Sequence, residues 1–316
     1  MPVPVPTTVA EAMAEAMAAT RAVGGPGATL VGVIGSPIAH SLSPRLHHAA
    51  FAALGLKWRS VAFAVVAGEA GAALRAMREV GVTGLSVTMP LKGEVAALVD
   101  EHTEVAGRLG VVNCVVNREG RLIGTNTDGE GFVASLIRGA RFSVVGRRCL
   151  VIGAGGAARA VVLALADAGA AEVAVLNRTP SRAADVAALA GPVGRVVGEE
   201  ETARDAVVAQ AELVVNATPI GMAGAGEVAA GPESWPVPPE LLHVGQVVAD
   251  LVYAPRPTPW LAAARSAGAA TVDGLGMLVH QAAAQLALWT GREAPVEAMW
   301  QAVTGAAGSD HESGAG

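Results

Sequence analysis

The chain has 316 residues, enough for two domains with separate cores, and its 52% hydrophobic and 16% charged content excludes disorder throughout. Its formal net charge of -6 comes without any dense block of lysine and arginine, and no apolar run is long enough to cross a bilayer, so neither nucleic acid nor membrane is expected as a partner. Two cysteines, Cys114 and Cys149, are too few for a disulfide framework and lack metal-ligand spacing, which fits a reducing cytoplasm and no metal.

Residues 1–27 open with prolines and continue in Ala, Met and Glu. Without a basic n-region, and with Glu11 and Glu15 interrupting the apolar text, they read as a frayed helix or flexible extension rather than a secretory signal. A β-rich run, Thr29-Leu30-Val31-Gly32-Val33-Ile34, then leads into Gly35-Ser36-Pro37-Ile38-Ala39-His40-Ser41-Leu42-Ser43-Pro44. Ser41 and Ser43 stand two apart on this strand-to-helix loop, so both hydroxyls can reach one carboxylate; Ser43 is equally suited to cap the helix that follows. His40, His47 and His48 lack an obvious third ligand and read as solvent-facing or core-edge residues.

A helix over 45–54, a strand over 58–65 and a helix over 68–80 precede Gly84-Leu85-Ser86-Val87-Thr88-Met89-Pro90-Leu91-Lys92. Pro90 ends the strand and Lys92 opens the next helix, where a cation opposes the dipole; this marks Lys92 as a candidate for chemistry, beside the alternative of a solvated surface lysine. Helical text continues over 93–106. Two strands joined by a turn at Glu119-Gly120 follow, carrying Asn113 as a partly buried amide and ending in Asn126-Thr127-Asp128-Gly129, where Asp128 suits either chemistry or a helix N-cap.

The second half is arranged around Gly153-Ala154-Gly155-Gly156-Ala157-Ala158-Arg159. A short apolar strand precedes it, a helix over 157–168 follows, and a second strand, Glu172-Val173-Ala174-Val175-Leu176, completes a βαβ unit. Glycine at this junction lets the backbone turn tightly and approach a ligand, and the helix N-terminus favours an anion such as a pyrophosphate. The second strand runs out into Asn177-Arg178-Thr179-Pro180-Ser181-Arg182, where an NAD-preferring fold places Asp or Glu; arginines there suit a 2′-phosphate instead. Past a helix over 183–190, a strand over 213–216 opens into Ala217-Thr218-Pro219, and the Gly/Ala/Pro-rich stretch 223–239 reads as a surface loop. A strand over 246–253 ends at Tyr253, which has the alternative of a half-buried aromatic. A helix starts at Thr258-Pro259, a short strand covers 270–273, residues 274–277 read as a glycine hinge, and a helix over 278–289 carries Gln281. Residues 304–316, small and polar, are expected to form a disordered tail.

Together these segments resemble the shikimate dehydrogenase family (shikimate/quinate dehydrogenases) from about Leu30 to Trp300. The resemblance rests on the stretches 35–44, 86–92, 126–129 and 153–159 given above, and on Asp273-Gly274-Leu275-Gly276-Met277-Leu278-Val279-His280-Gln281. It implies an α/β protein of two α/β domains: a discontinuous substrate domain over 28–127, completed by helices over 277–303, and a Rossmann-type dinucleotide-binding domain with a parallel sheet over 128–276. It implies an active site in a cleft between the domains. Ser41 and Ser43 would bind the substrate carboxylate and Thr88, Asn113 and Gln281 its hydroxyl face, with Tyr253 near substrate and nicotinamide and Lys92 and Asp128 as catalytic pair. Gly153, Ala154, Gly155, Gly156, Ala157, Asn177, Arg178, Thr179, Arg182, Ala217, Thr218, Gly274 and Met277 would bind NADP, with Asn216 near its path. Two positions depart from common family text: Ser86 stands where many members carry asparagine, and Cys114 where threonine is frequent. The expected activity is reversible NADPH-dependent reduction of 3-dehydroshikimate to shikimate by a cytoplasmic monomer or homodimer. The alternatives are a quinate/shikimate dehydrogenase using NAD and a non-catalytic NADP-binding sensor.

Overall fold

The computed structural model describes residues 8–198, 200–222 and 235–305, and the chain divides into two compact units. The first holds 1–127 and 282–316, the second 128–281.

The first unit begins with α1 (Val9–Gly24), so of the two readings of these residues the structure takes the helix and not the flexible extension; Met1 to Thr7 lie outside the described residues. Thr8 Oγ1 accepts from the Glu11 N–H at 3.2 Å while Glu11 Oε2 accepts from the Thr8 N–H at 3.0 Å, a reciprocal box that satisfies two helix-end donors. One turn apart, Met13 and Met17 are buried in a core that includes Leu74 and Met77. Each buried methionine is worth about 2 kcal/mol, which outweighs the fraying of a helix end.

Six strands follow: β1 (Thr29–Gly35), β2 (Trp58–Ala64), β3 (Gly84–Val87), β4 (Glu101–His102), β5 (Cys114–Arg118) and β6 (Arg121–Thr125), in sheet order β2-β1-β3-β5-β6-β4. Both neighbours of β1 run parallel to it, whereas β5 is antiparallel to β3 and to β6. The helices are α2 (Ser43–Ala53), α3 (Ala70–Val80), α4 (Lys92–Ala96) and α5 (Glu104–Leu109). Continuous helical text over 93–106 is corrected to α4 and α5 with β4 between them. The break is at Asp100, whose carboxylate takes both Arg78 Nη2 and the Leu122 N–H and brings the chain alongside β6.

The second unit starts with α6 (Asp128–Ala140) and continues through β7 (Arg148–Ile152), α7 (Gly156–Asp167), β8 (Glu172–Leu176), α8 (Pro180–Ala187), β9 (Gly194–Val196), α9 (Glu201–Gln210), β10 (Leu213–Asn216), β11 (Val247–Asp250), α10 (Pro259–Ser266), β12 (Ala270–Val272) and α11 (Gly274–Thr290). All six strands are parallel in the order β12-β11-β10-β7-β8-β9, the doubly wound Rossmann arrangement, with the order reversing between β7 and β10. Alternate residues of β7 serve two cores: Cys149 and Val151 pack on one face of the sheet, Leu150 and Ile152 on the other. With both faces covered, the inner residues of the central strands are apolar, which makes them readable as short runs.

The glycine hinge expected over 274–277 is instead the first turn of α11. Asp273 Oδ1 accepts from the Leu275 N–H at 3.1 Å, and a Cβ on Gly274 would collide with the Leu251 carbonyl, so this glycine serves close packing rather than bending. The helix passes into the first unit after Gln281, later than the domain break expected at 276/277, because its first turns lie on α6: Gly276 sits on Ser135 and the Gln281 backbone on Gly131. In the first unit α12 (Val296–Thr304) packs against α2. The loop expected over 223–239 lies outside the described residues up to 234, and the tail does so from 306.

Candidate active site

In the first unit the candidate residues gather at one edge of the sheet, where β1 and β3 end and β5 begins. The two strand-end loops are tied together: the Ser36 N–H donates to the Met89 carbonyl at 2.9 Å and the Thr88 N–H to the Ile34 carbonyl at 3.0 Å. Only glycine fits at 35, since a Cβ there would run into the Thr88 methyl and the Met89 carbonyl. The cap alternative for Ser43 fails, because it is the first residue of α2, Leu42 holds the cap position, and no side chain caps the helix. Ser41 Oγ instead accepts from the Ser43 N–H at 3.3 Å, fixing the two serines relative to each other, with Ser43 buried and Ser41 half-buried.

Lys92 opens α4 and is half-buried, and its carbonyl accepts from the Val112 N–H at 3.0 Å, beside Asn113. Asn113 is only 2% exposed and makes bonds on every side. Its carbonyl accepts from the Val87 N–H at 2.7 Å and from Gln285 Nε2 at 3.2 Å, Oδ1 accepts from the Thr127 N–H at 2.8 Å, and Nδ2 donates to Thr127 Oγ1 at 3.1 Å. Gln285 and Thr127 were missed as site residues. The signal for Gln285 was present, since it follows Gln281 by one helical turn and is polar in otherwise apolar text. Ser86 and Cys114, the two departures from common family text, are cross-strand partners in the β3/β5 ladder, and both are buried.

Behind this edge His47 is wholly buried, its Nδ1 2.8 Å from Ser60 Oγ and its ring edge-on to Trp289. Burial, helped by the neighbouring His48, drives its pKa down to about 3, so the ring is neutral. His48 Nε2 accepts from the Ser60 N–H at 3.0 Å. Among the described residues no group of three or more His, Cys, Asp or Glu is arranged to hold a metal.

In the second unit the glycine turn joins β7 to α7. Gly153 has φ +118, a conformation L side chains rarely adopt, donates its N–H to the Leu176 carbonyl at 2.8 Å, and would place a Cβ 3.0 Å from the Ala217 carbonyl oxygen. Ala154 and Ala157 are half-buried beside it. Gly155 caps α7 without any side-chain hydrogen bond and has open space where a Cβ would be, leaving the first N–H groups of α7 facing outward at the positive end of the helix. At the end of β8, Asn177 Nδ2 donates to the Thr179 carbonyl at 3.0 Å. Arg178 and Arg182 are exposed, and neither guanidinium has a hydrogen-bond or ion-pair partner among the described residues.

After β10 the chain wraps around Asn216. Oδ1 accepts from the Thr218 N–H at 3.0 Å and from Thr218 Oγ1 at 2.6 Å, while Nδ2 donates to Asp250 Oδ1 at 2.9 Å. Asp250, buried at the end of β11, also takes the Val252 N–H at 3.0 Å and Thr258 Oγ1 at 2.8 Å. Burial lifts its carboxyl to about 6 despite these three donors, with Asp273 adding to the rise. Tyr253 is half-buried, and burial raises its hydroxyl pKa. Asp128, first residue of α6, is buried, as is Gln281, whose Nε2 donates to the Leu278 carbonyl at 2.8 Å. Met277 lies in the core of this unit and Gly274 against Leu251.

Comparison with known proteins covers both units. The family model for the shikimate dehydrogenase substrate binding domain matches residues 33–115, that for shikimate / quinate 5-dehydrogenase residues 137–222, and that for the shikimate 5'-dehydrogenase C-terminal domain residues 274–304. The chain is similar to the NADP(+) shikimate dehydrogenase of Moorella thermoacetica, 44% identical over 85% of this chain and 90% of the relative. It is 45% identical to that of Symbiobacterium thermophilum over 87% and 93% of the two chains. Among solved structures it resembles shikimate 5-dehydrogenase of Thermus thermophilus, determined in complex with NADP(H) and shikimate, with a TM-score of 0.77 and 37% identity over 87% and 98% of the chains. Two folded units, their strand-end groups and this likeness along most of the chain agree, and the chain belongs to the shikimate dehydrogenase family.

Proposed function

We propose that the chain catalyses the reversible NADPH-dependent reduction of 3-dehydroshikimate to shikimate in aromatic amino-acid (chorismate) biosynthesis, without a metal, as a cytoplasmic monomer or homodimer. The observation that carries this is the sheet edge of the first unit, where an ammonium, Lys92, shares a border with fixed hydroxyl and amide groups. Such a border suits a polyhydroxylated carboxylate. Ser41 and Ser43 hold the carboxylate, and Thr88, Asn113 and Gln281 read the hydroxyl face.

The second unit fits a dinucleotide with a 2′-phosphate. The open Gly155 corner and the uncapped end of α7 suit a pyrophosphate, and two exposed arginines, unpaired among the described residues, follow β8 in place of a carboxylate. Gly153, Ala154, Gly155, Gly156 and Ala157 border the pyrophosphate; Asn177, Arg178, Thr179 and Arg182 take the adenosine phosphate; Ala217, Thr218, Gly274, Met277 and Tyr253 line the rest. When bound, NADPH supplies the hydride that reduces the substrate ketone. Lys92 then gives its proton to the oxygen that gains the negative charge, and in the reverse direction neutral Lys92 removes the proton from the hydroxyl. Asp128 serves as the acidic member of the pair, holding the charge balance of Lys92 and the orientation of the hydroxyl.

The test crosses shikimate and quinate with NADP+ and NAD+ and follows absorbance at the reduced nicotinamide band. Shikimate with NADP+ is expected to be the fastest pair; faster turnover of quinate with NAD+ would overturn the choice, and no turnover with any pair would favour a sensor. The joint change Arg178→Gln and Arg182→Gln is expected to weaken NADP+ by roughly 10- to 100-fold and NAD+ by much less, in line with the loss of charge-assisted hydrogen bonds.

A further inference from the structure

Asp250 has no part in the chemistry above, yet it is among the most buried acids in the chain, at 1% exposure, and its two oxygens are fully engaged. Its reach along the loop after β10 is what stands out. The Asn216 amide has two ends of similar size and opposite hydrogen-bonding character, so its orientation has to be imposed from outside. An ionised carboxylate only accepts. Asp250 Oδ1 therefore accepts from Nδ2 at 2.9 Å, with the Ile220 carbonyl as a second acceptor at 3.3 Å, and Oδ1 of Asn216 is turned the other way, toward Thr218. Both the N–H and the hydroxyl of Thr218 donate to that oxygen, and the Thr218 hydroxyl in turn accepts from the Ile220 N–H at 3.3 Å. Were the amide reversed, its NH2 would face the Thr218 N–H and the loop would lose its anchor. The carboxylate is itself fixed: the Val252 N–H holds Oδ1, and Thr258, which caps α10 through the Leu261 N–H, holds Oδ2. The same loop carries the Ala217 carbonyl against Gly153, so its position also bounds the glycine turn.

We infer that Asp250 is a positioning residue for the cofactor, acting through the Asn216 amide to hold Ala217 and Thr218 in the form that receives it. The inference rests on the reading of this unit as the NADP site.

The variant Asp250→Ala removes both accepting oxygens, so that Asn216 Nδ2 keeps only the more distant Ile220 carbonyl and the amide is no longer firmly held. NADP+ affinity, measured by titrating tryptophan fluorescence of the full chain, is expected to fall roughly tenfold, the scale of a lost hydrogen bond to a charged group. The KM for shikimate at saturating NADP+ is expected to stay within about twofold, a split that general loosening of the fold would not produce. The variant Asp250→Asn can keep an oxygen toward Asn216 Nδ2 and the Val252 N–H while its NH2 donates to Thr258 Oγ1, and is expected to hold NADP+ affinity to within about threefold of wild type. Where Asp250→Ala fails to fold, Asp250→Asn decides, and a folded Asp250→Asn with the tenfold loss would overturn the inference. A folded Asp250→Ala that binds NADP+ as the wild type does would overturn the inference alone, whereas a wild-type chain that does not bind NADP+ would overturn the cofactor reading as well.

Discussion

Both units present their candidate groups at the ends of parallel strands, but the first does so with side chains and the second largely with backbone. In the first, serines, Thr88, Lys92 and Asn113 are held by loops tied across β1, β3 and β5. In the second, the central feature is a turn defined by what is absent, a Cβ at Gly153 and a capping side chain at Gly155. A side-chain site is damaged by removing atoms and a backbone site by adding them, so the two units should fail in opposite ways.

The largest effect is expected at Lys92. Lys92→Ala should lower kcat by roughly a thousandfold, within the usual range for a proton-transfer group, while the KM for shikimate moves only a few-fold. Near-normal turnover would take the lysine out of the mechanism and leave the first unit as a binding surface.

Adding one methyl in the second unit comes next. Gly153→Ala must leave φ +118 or press on the Ala217 carbonyl, and is expected to cost about 1–3 kcal/mol of stability as well as NADP+ affinity. Gly155→Ala meets neither problem, with φ −85 and open space, so its thermal midpoint should hold while NADP+ affinity falls. Equal loss of stability in both would erase the distinction between a strained turn and a ligand-facing one.

The smallest effect concerns acid. His47 stays neutral in the fold down to about pH 3 but takes a proton near 6.5 when unfolded, and its Nε2 has no hydrogen-bond partner among the described residues. Between those values the unfolded chain binds more protons, so this contribution to stability is lost as pH falls below 6.5, by at most about 1.4 kcal/mol per pH unit. Asp250 has the opposite sign: its folded carboxyl titrates near 6 against 3.8, so the folded state binds more protons in that window and gains stability as pH falls through it. Urea unfolding of His47→Gln at pH 7 and pH 5 should show a flatter loss than wild type; an unchanged slope would mean that the histidine is not the acid-sensitive group.

Much of this architecture was legible because local and global signals coincide. The glycine turn, the strand-ending Pro90 and the short apolar strands carry their meaning within a few residues. What escaped depends on distance along the chain. Asp250 meets Asn216 across adjacent strands, Gln285 reaches Asn113 from the far end of the sequence, and Asp100 breaks a helical pattern by pairing with Arg78 and Leu122. The helix α1 is a different case: a helix is one of two readings there, and the capping box of Thr8 and Glu11 with Met13 and Met17 at helical spacing decides for it.

The pairing of Ser86 with Cys114 makes the two departures from common family text one packing unit. Both lie sealed in one ladder position, where an asparagine introduced alone at 86 would add volume against an unchanged neighbour. A change at either position is therefore felt by the other, and substitutions at 86 and 114 are not expected to be additive.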